Sequence, residues 1–155
     1  MSFATEAGEK EYKKTKFLAM VFLIIAPLIY ILLVSFVIKP AANFEPKQAF
    51  IFYMLIVISI SQPMAYSLIE RVQVSNFKKS TMTGMSPEKL YTTLSIIKFA
   101  FVESIYIYGI VDFMLSGDKF HYLIFVVIGL CWSALVWPRG DKFESFLMKV
   151  KPYGQ

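Results

Sequence analysis

Four apolar runs, separated by short polar stretches, divide the chain. Residues 17–38 read FLAMVFLIIAPLIYILLVSFVI and carry no charge. Residues 49–69, AFIFYMLIVISISQPMAYSLI, are also uncharged. Residues 95–116, SIIKFAFVESIYIYGIVDFMLS, hold Lys98, Glu103 and Asp112, and residues 120–137, FHYLIFVVIGLCWSALVW, make the shortest run. A helix rises about 1.5 Å per residue, so about 20 residues cross roughly 30 Å of hydrocarbon. The pattern predicts an all-α, polytopic membrane protein. It has four transmembrane helices arranged as two hairpins, forming a single membrane domain. A soluble four-helix bundle needs polar outer faces, which these runs lack. The first run exceeds the about 7–15 apolar residues of a cleaved signal and is expected to be an uncleaved span. Pro27 within it removes a backbone donor and predicts a kink.

Charge gives the expected orientation. Lys10, Lys13, Lys14 and Lys16 precede the first run. Arg71, Lys78, Lys79 and Lys89 lie between the second and third, and Arg139, Lys142, Lys149 and Lys151 follow the fourth. The other two connections carry only Lys39, Lys47 and Lys119. The positive-inside rule places both termini and the loop 70–94 in the cytoplasm, and the expected location is a bacterial inner membrane. The net charge of +5 therefore reads as membrane orientation, and no nucleic-acid partner is expected. Beyond the fourth run, segment 139–155 is expected at the membrane surface. Within it, Phe143, Phe146, Leu147 and Val150 fall at i, i+3, i+4 and i+7, one apolar stripe on a short helix. Such a stripe serves as an interfacial foot, a docking helix for a partner, or a frayed tail beside the headgroups.

Composition narrows the chemistry. Apolar residues make up 57% of the 155, and charged residues 17%, against about 25% in soluble domains. One Cys and one His exclude an internal disulfide and any site needing two imidazoles. There is no GxSxG, HExxH, Walker loop or CxxC, so neither an enzyme nor a bound metal or cofactor is expected. Cys131 reads as a packing residue, His121 as a wet interfacial residue, and Gly129 with Ser133 as a small-xxx-small helix contact. Lys98 is close enough to the inner end to snorkel.

Glu103 is the informative residue. It sits about eight residues, roughly 12 Å, into the third run, near the bilayer middle. A charged carboxylate there costs about 3 kcal/mol on insertion scales. It should carry its proton or hold a cation, and an intramembrane carboxylate marks an ion pathway. Ser104 is beside it, and Tyr108 can reach around from the next turn. Gln62 in the second run meets it if the two helices pack antiparallel. Carboxylate, amide oxygen and hydroxyls would make an all-oxygen pocket for H+ or Na+. The structural alternative is a protonated Glu103 bonded to a neighbouring helix. Asp112, nine residues on, faces the other side of the helix near the outer surface, wet or paired with another chain.

The stretch 84–111, GMSPEKLYTTLSIIKFAFVESIYIYGIV, resembles the polar loop and second helix of the rotor-ring c subunit, or proteolipid, of F- and V-type ATP synthases. Pro87-Glu88 matches that family's loop, Ala100-Phe101 the approach, Glu103 the ion-carrying carboxylate and Ile107-Tyr108-Gly109 the turn after it. The likeness extends over 49–116 if the second run corresponds to the family's first helix. It implies an ion-binding set of Glu103, Ser104, Tyr108 and Gln62, and proton or sodium translocation within a larger membrane complex. The family's first helix has alternating glycines, whereas 49–69 has none. The combination implies a c-like hairpin reused with other membrane subunits or in a homo-oligomer. The rival expectation is a structural or accessory subunit that packs against partner helices and lipid.

Overall fold

A computed structural model describes residues 6–39, 47–79 and 85–150. These form α1 (Glu6–Met20), a π-helical turn (Val21–Ile25), α2 (Ala26–Phe36), α3 (Lys47–Lys79), α4 (Pro87–Ser116), α5 (Lys119–Val136) and α6 (Gly140–Val150). No strand occurs among the described residues. Four helical rods are long and apolar enough to cross a membrane: Glu6–Phe36, Phe50–Lys79, Pro87–Ser116 and Lys119–Val136. Large apolar side chains line their outer faces, among them Leu28, Leu32, Val57, Ile60, Met64 and Leu123. So large an apolar surface suits lipid and would aggregate in water.

The first rod shows how Pro27 is accommodated. Proline has no N–H to give to the preceding turn. Just before it the helix widens to π geometry, and the Ala26 N–H bonds to the Val21 carbonyl, five residues back. The rod then continues through Leu23, Pro27 and Val34, which share one buried face. Pro63 likewise lies inside the unbroken α3.

Helix α4 is the hub. The first rod, α3, α5 and α6 all pack on it. Its apolar window is 39% buried, against 17% to 28% in the other three rods. The first rod runs parallel to α4, pairing Thr15 with Thr92, Phe22 with Phe99 and Tyr30 with Glu103. α3 runs antiparallel, pairing Gln62 with Ser104 and Tyr66 with Lys98. Only Gly117 and Asp118 separate α4 from α5. Gly117 adopts φ 69°, a left-handed conformation open to glycine, and its N–H caps the Phe113 carbonyl. Asp118 then caps α5 by accepting from the Phe120 N–H at 2.7 Å. α4 and α5 thus pack closely along each other. The first and second spans make their principal contacts with α4 and not with each other.

The helices outrun the apolar runs, leaving 80–86 between α3 and α4 where the sequence pattern allotted 70–94 to a loop. α6 explains the difference. Its stripe is neither frayed nor left for a partner. Phe146 and Val150 join Val74 of α3 with Leu90 and Leu94 of α4, and Phe143 packs on Tyr12 and Tyr91. The chain supplies its own partner for the stripe, and that contact keeps the polar helix ends folded. Replacing Phe143 and Phe146 together by Ala removes a contact worth roughly 3 kcal/mol or more. Trypsin is then expected to cut at Lys142 and Lys149 several-fold faster, while the spans stay protected. Unchanged cleavage would mean that α6 is not docked.

Candidate functional site: an intramembrane carboxyl and a buried acid–histidine pair

Glu103 lies half-buried on α4, midway along the helix, and faces α2. There the Tyr30 hydroxyl donates a hydrogen bond to its carboxyl oxygen Oε1. Tyr30 projects from the buried face set by Leu23, Pro27 and Val34. Sequence reasoning did not find Tyr30. Nearly every residue of 17–38 is apolar, so no polar stripe marks which face meets α4.

The expected four-residue set is only partly assembled. Gln62 and Ser104 do meet, with the Gln62 Nε2 donating to the Ser104 Oγ at 2.6 Å. The Ser104 hydroxyl in turn donates a hydrogen bond to the Phe101 carbonyl at 2.8 Å. Gln62 is buried, and its Oε1 has no partner among the described residues. Tyr108 packs elsewhere, against the cluster of Phe52, Ile105 and Phe125. Adjacent helical residues point about 100° apart. Glu103 therefore meets α2 while Ser104 meets α3. The amide nitrogen, not the oxygen, is turned toward Ser104, and the Tyr30 hydroxyl is the group placed on the carboxylate.

A second polar cluster lies at the far end of α4, where the sequence suggested wet residues. Asp112 is 1% exposed. The His121 Nδ1 lies 3.2 Å from its Oδ2, a ring N–H to carboxylate contact, and Ser116 donates to the same oxygen at 3.4 Å. The other ring nitrogen, Nε2, is 3.7 Å from Asp118 Oδ2. The imidazole stacks on Phe52 with centroids 3.8 Å apart. Asp112 is thus neither wet nor left for another chain, because α5 returns His121 to it. The cue was the Gly117-Asp118 turn, which folds positions 112 and 121 onto each other. No group of three or more acids, His or Cys suited to a metal ion occurs among the described residues.

Of the other sequence features, the Gly129–Ser133 step is packing, whereas Cys131, expected to pack, does not. The Tyr106 ring lies over Gly129, and its hydroxyl is 3.3 Å from Ser133 Oγ, so the small-xxx-small step is a contact within the chain. Cys131 is exposed on the outer face of α5. Comparison with protein-family models, curated proteins and solved structures gives no match. The fold and site therefore define a class, a helical protein with four rods fit to span a membrane, and the reading of its role rests on the residues.

Proposed function

We propose that the chain is a c-subunit-like integral membrane protein in which Glu103 handles protons as part of a larger membrane complex. The observation that carries this reading is the Tyr30 hydroxyl donated to Glu103 at mid-depth. A carboxyl in hydrocarbon is tolerable when it is protonated or when its charge is met by a strong donor. One tyrosine hydroxyl supports both states, accepting or giving a hydrogen bond as the proton comes and goes. The separation of Glu103 from Tyr108 and from the Gln62 oxygen favours H+ over Na+, since a sodium ion needs several oxygens converging on one point. Under the positive-inside rule, the end bearing α6 faces the cytoplasm. The partners of this reading are lipid and further membrane subunits or copies of the chain.

A non-catalytic accessory role is the second reading. It is favoured by the packing of the first rod, α3, α5 and α6 on α4, the helix that carries Glu103.

A hydrophobic carbodiimide separates the two, because it modifies a protonated carboxyl reached from the membrane. Glu103 is expected to be the labelled residue in membranes at mildly acidic pH, with no label there in Glu103→Gln. Tyr30→Phe, which loses the donor, should change the labelling rate several-fold. Absence of label on Glu103 at every pH tested would leave only the accessory reading.

A further inference from the structure

At the α6 end of the bundle, two clefts join. The polar one, about 300 Å³, lies among α3, α4, α5 and α6, with Glu70, Lys98, Asp141, Lys142 and Lys149 on its walls. The apolar one, about 210 Å³, continues up the bundle between α3, α4 and α5 along Phe101, Ile105, Trp132 and Leu135. Tyr66, Lys98 and Val136 border both. Lys98 stands at the junction. Its Nζ lies 4.4 Å from the Tyr66 ring centroid, and it has no carboxylate partner among the described residues. Of the two acids on the walls, Glu70 is met by Lys149 at 3.9 Å. Lys142 donates to the Leu135 carbonyl at the end of α5, at 2.8 Å. Three lysines against Glu70 and Asp141 leave one positive charge in excess.

We infer that this composite cleft holds one anionic glycerophospholipid, its phosphodiester against Lys98 and Lys142 and an acyl chain along Phe101, Ile105, Trp132 and Leu135. A phosphodiester carries the single negative charge that the polar walls lack. A lysine inside a membrane protein calls for such a counter-charge, and basic pockets between spans suit anionic headgroups. A free phosphate would use the polar cleft alone. The apolar groove opening from the same lysine commits the site to a lipid. The inference does not depend on the role of Glu103, which faces α2 and lies off both clefts.

Native mass spectrometry of the purified full chain in detergent tests it, with phosphatidylglycerol, phosphatidylcholine and glycerol 3-phosphate as probes. Phosphatidylglycerol is expected to be retained about tenfold better than phosphatidylcholine, which offers the same phosphodiester but brings a choline cation that leaves the cleft's excess positive charge unmet. Lys98→Met should remove that preference, and Lys98→Arg should keep most of it. Leu135→Trp, which fills the groove from a largely exposed position, should weaken phosphatidylglycerol without unfolding the chain. Lys13→Met, on α1 and outside the lining of both clefts, should change nothing. Three results would each overturn the inference: equal retention of the two lipids, a loss in Lys13→Met equal to that in Lys98→Met, or full competition by glycerol 3-phosphate.

Discussion

Replacing His121 by Phe is expected to destabilise the solubilised protein by about 3 kcal/mol or more, the cost of stranding a buried charge by removing its partner. Phe preserves the ring stacked on Phe52, so the loss reports the contact to Asp112 and, weakly, the longer one to the half-exposed Asp118. The opposite change, Asp112→Asn, should cost only about 1 kcal/mol. An amide retains an oxygen for the Ser116 hydroxyl, and His121 is partly open to solvent, so water can replace the contact it loses. The pair is therefore asymmetric, and the double variant carries the sharpest expectation. Asp112→Asn in the His121→Phe background should restore much of the lost stability, because the stranded charge is gone. Thermal unfolding of the four proteins in one detergent provides the cycle. Additive losses, or a His121→Phe protein as stable as the parent, would show that Asp112 does not depend on the imidazole. The cluster also joins α3 to α5 through the Phe52 stack, which His121→Phe keeps, so α3 should loosen only when the ring itself is removed, as in His121→Ala.

The spans are legible in the sequence because length and hydropathy alone determine them. Facing directions are not, and the reason lies in the runs themselves. In 17–38 almost every position is apolar, so the face of Leu23, Pro27, Tyr30 and Val34 has no polar complement to reveal it. In a membrane the outer and inner faces of a helix are alike in polarity. The one-sided apolar stripe that reports burial in a soluble protein then disappears. The polar residues behave differently. Matching depth on antiparallel helices brings Gln62 to the turn of Glu103 from sequence, but the partner it takes there is the neighbouring Ser104. Tyr108 is misleading, because its closeness to Glu103 along the helix hides the angle between them. α6 is readable as a helix from its stripe. Its partner is not, since Val74, Leu90 and Leu94 lie in stretches that look like loop when each is taken alone.

Gly129→Ala is expected to cost about 2 kcal/mol, within the range for overpacking a close-packed interior. A Cβ at position 129 would lie 2.5 Å from Tyr106 Cζ and 2.7 Å from its Cε1. Tyr106 has nowhere to retreat: it is fully buried, and its hydroxyl sits beside Ser133 on the same α5 face. The arrangement is reciprocal, for Gly109 of α4 receives Phe125 of α5, whose Cβ would lie 2.7 Å from an added methyl. Each helix thus offers a glycine to the other's aromatic ring. Gly109 serves to bring α5 onto α4. Within lipid, packing supplies most of the attraction between helices, so forcing α4 and α5 apart attacks the main force joining them. Tyr106→Ala alone should also destabilise, by opening a cavity. Combined with Gly129→Ala it should cost less than the sum of the two, since the new methyl occupies part of the vacated space. Strict additivity in thermal unfolding would mean that the ring and the glycine do not touch. If Glu103 acts through its contact with Tyr30, Gly129→Ala should also change carbodiimide labelling of Glu103, because α4 presents both contacts from neighbouring turns of one rigid rod.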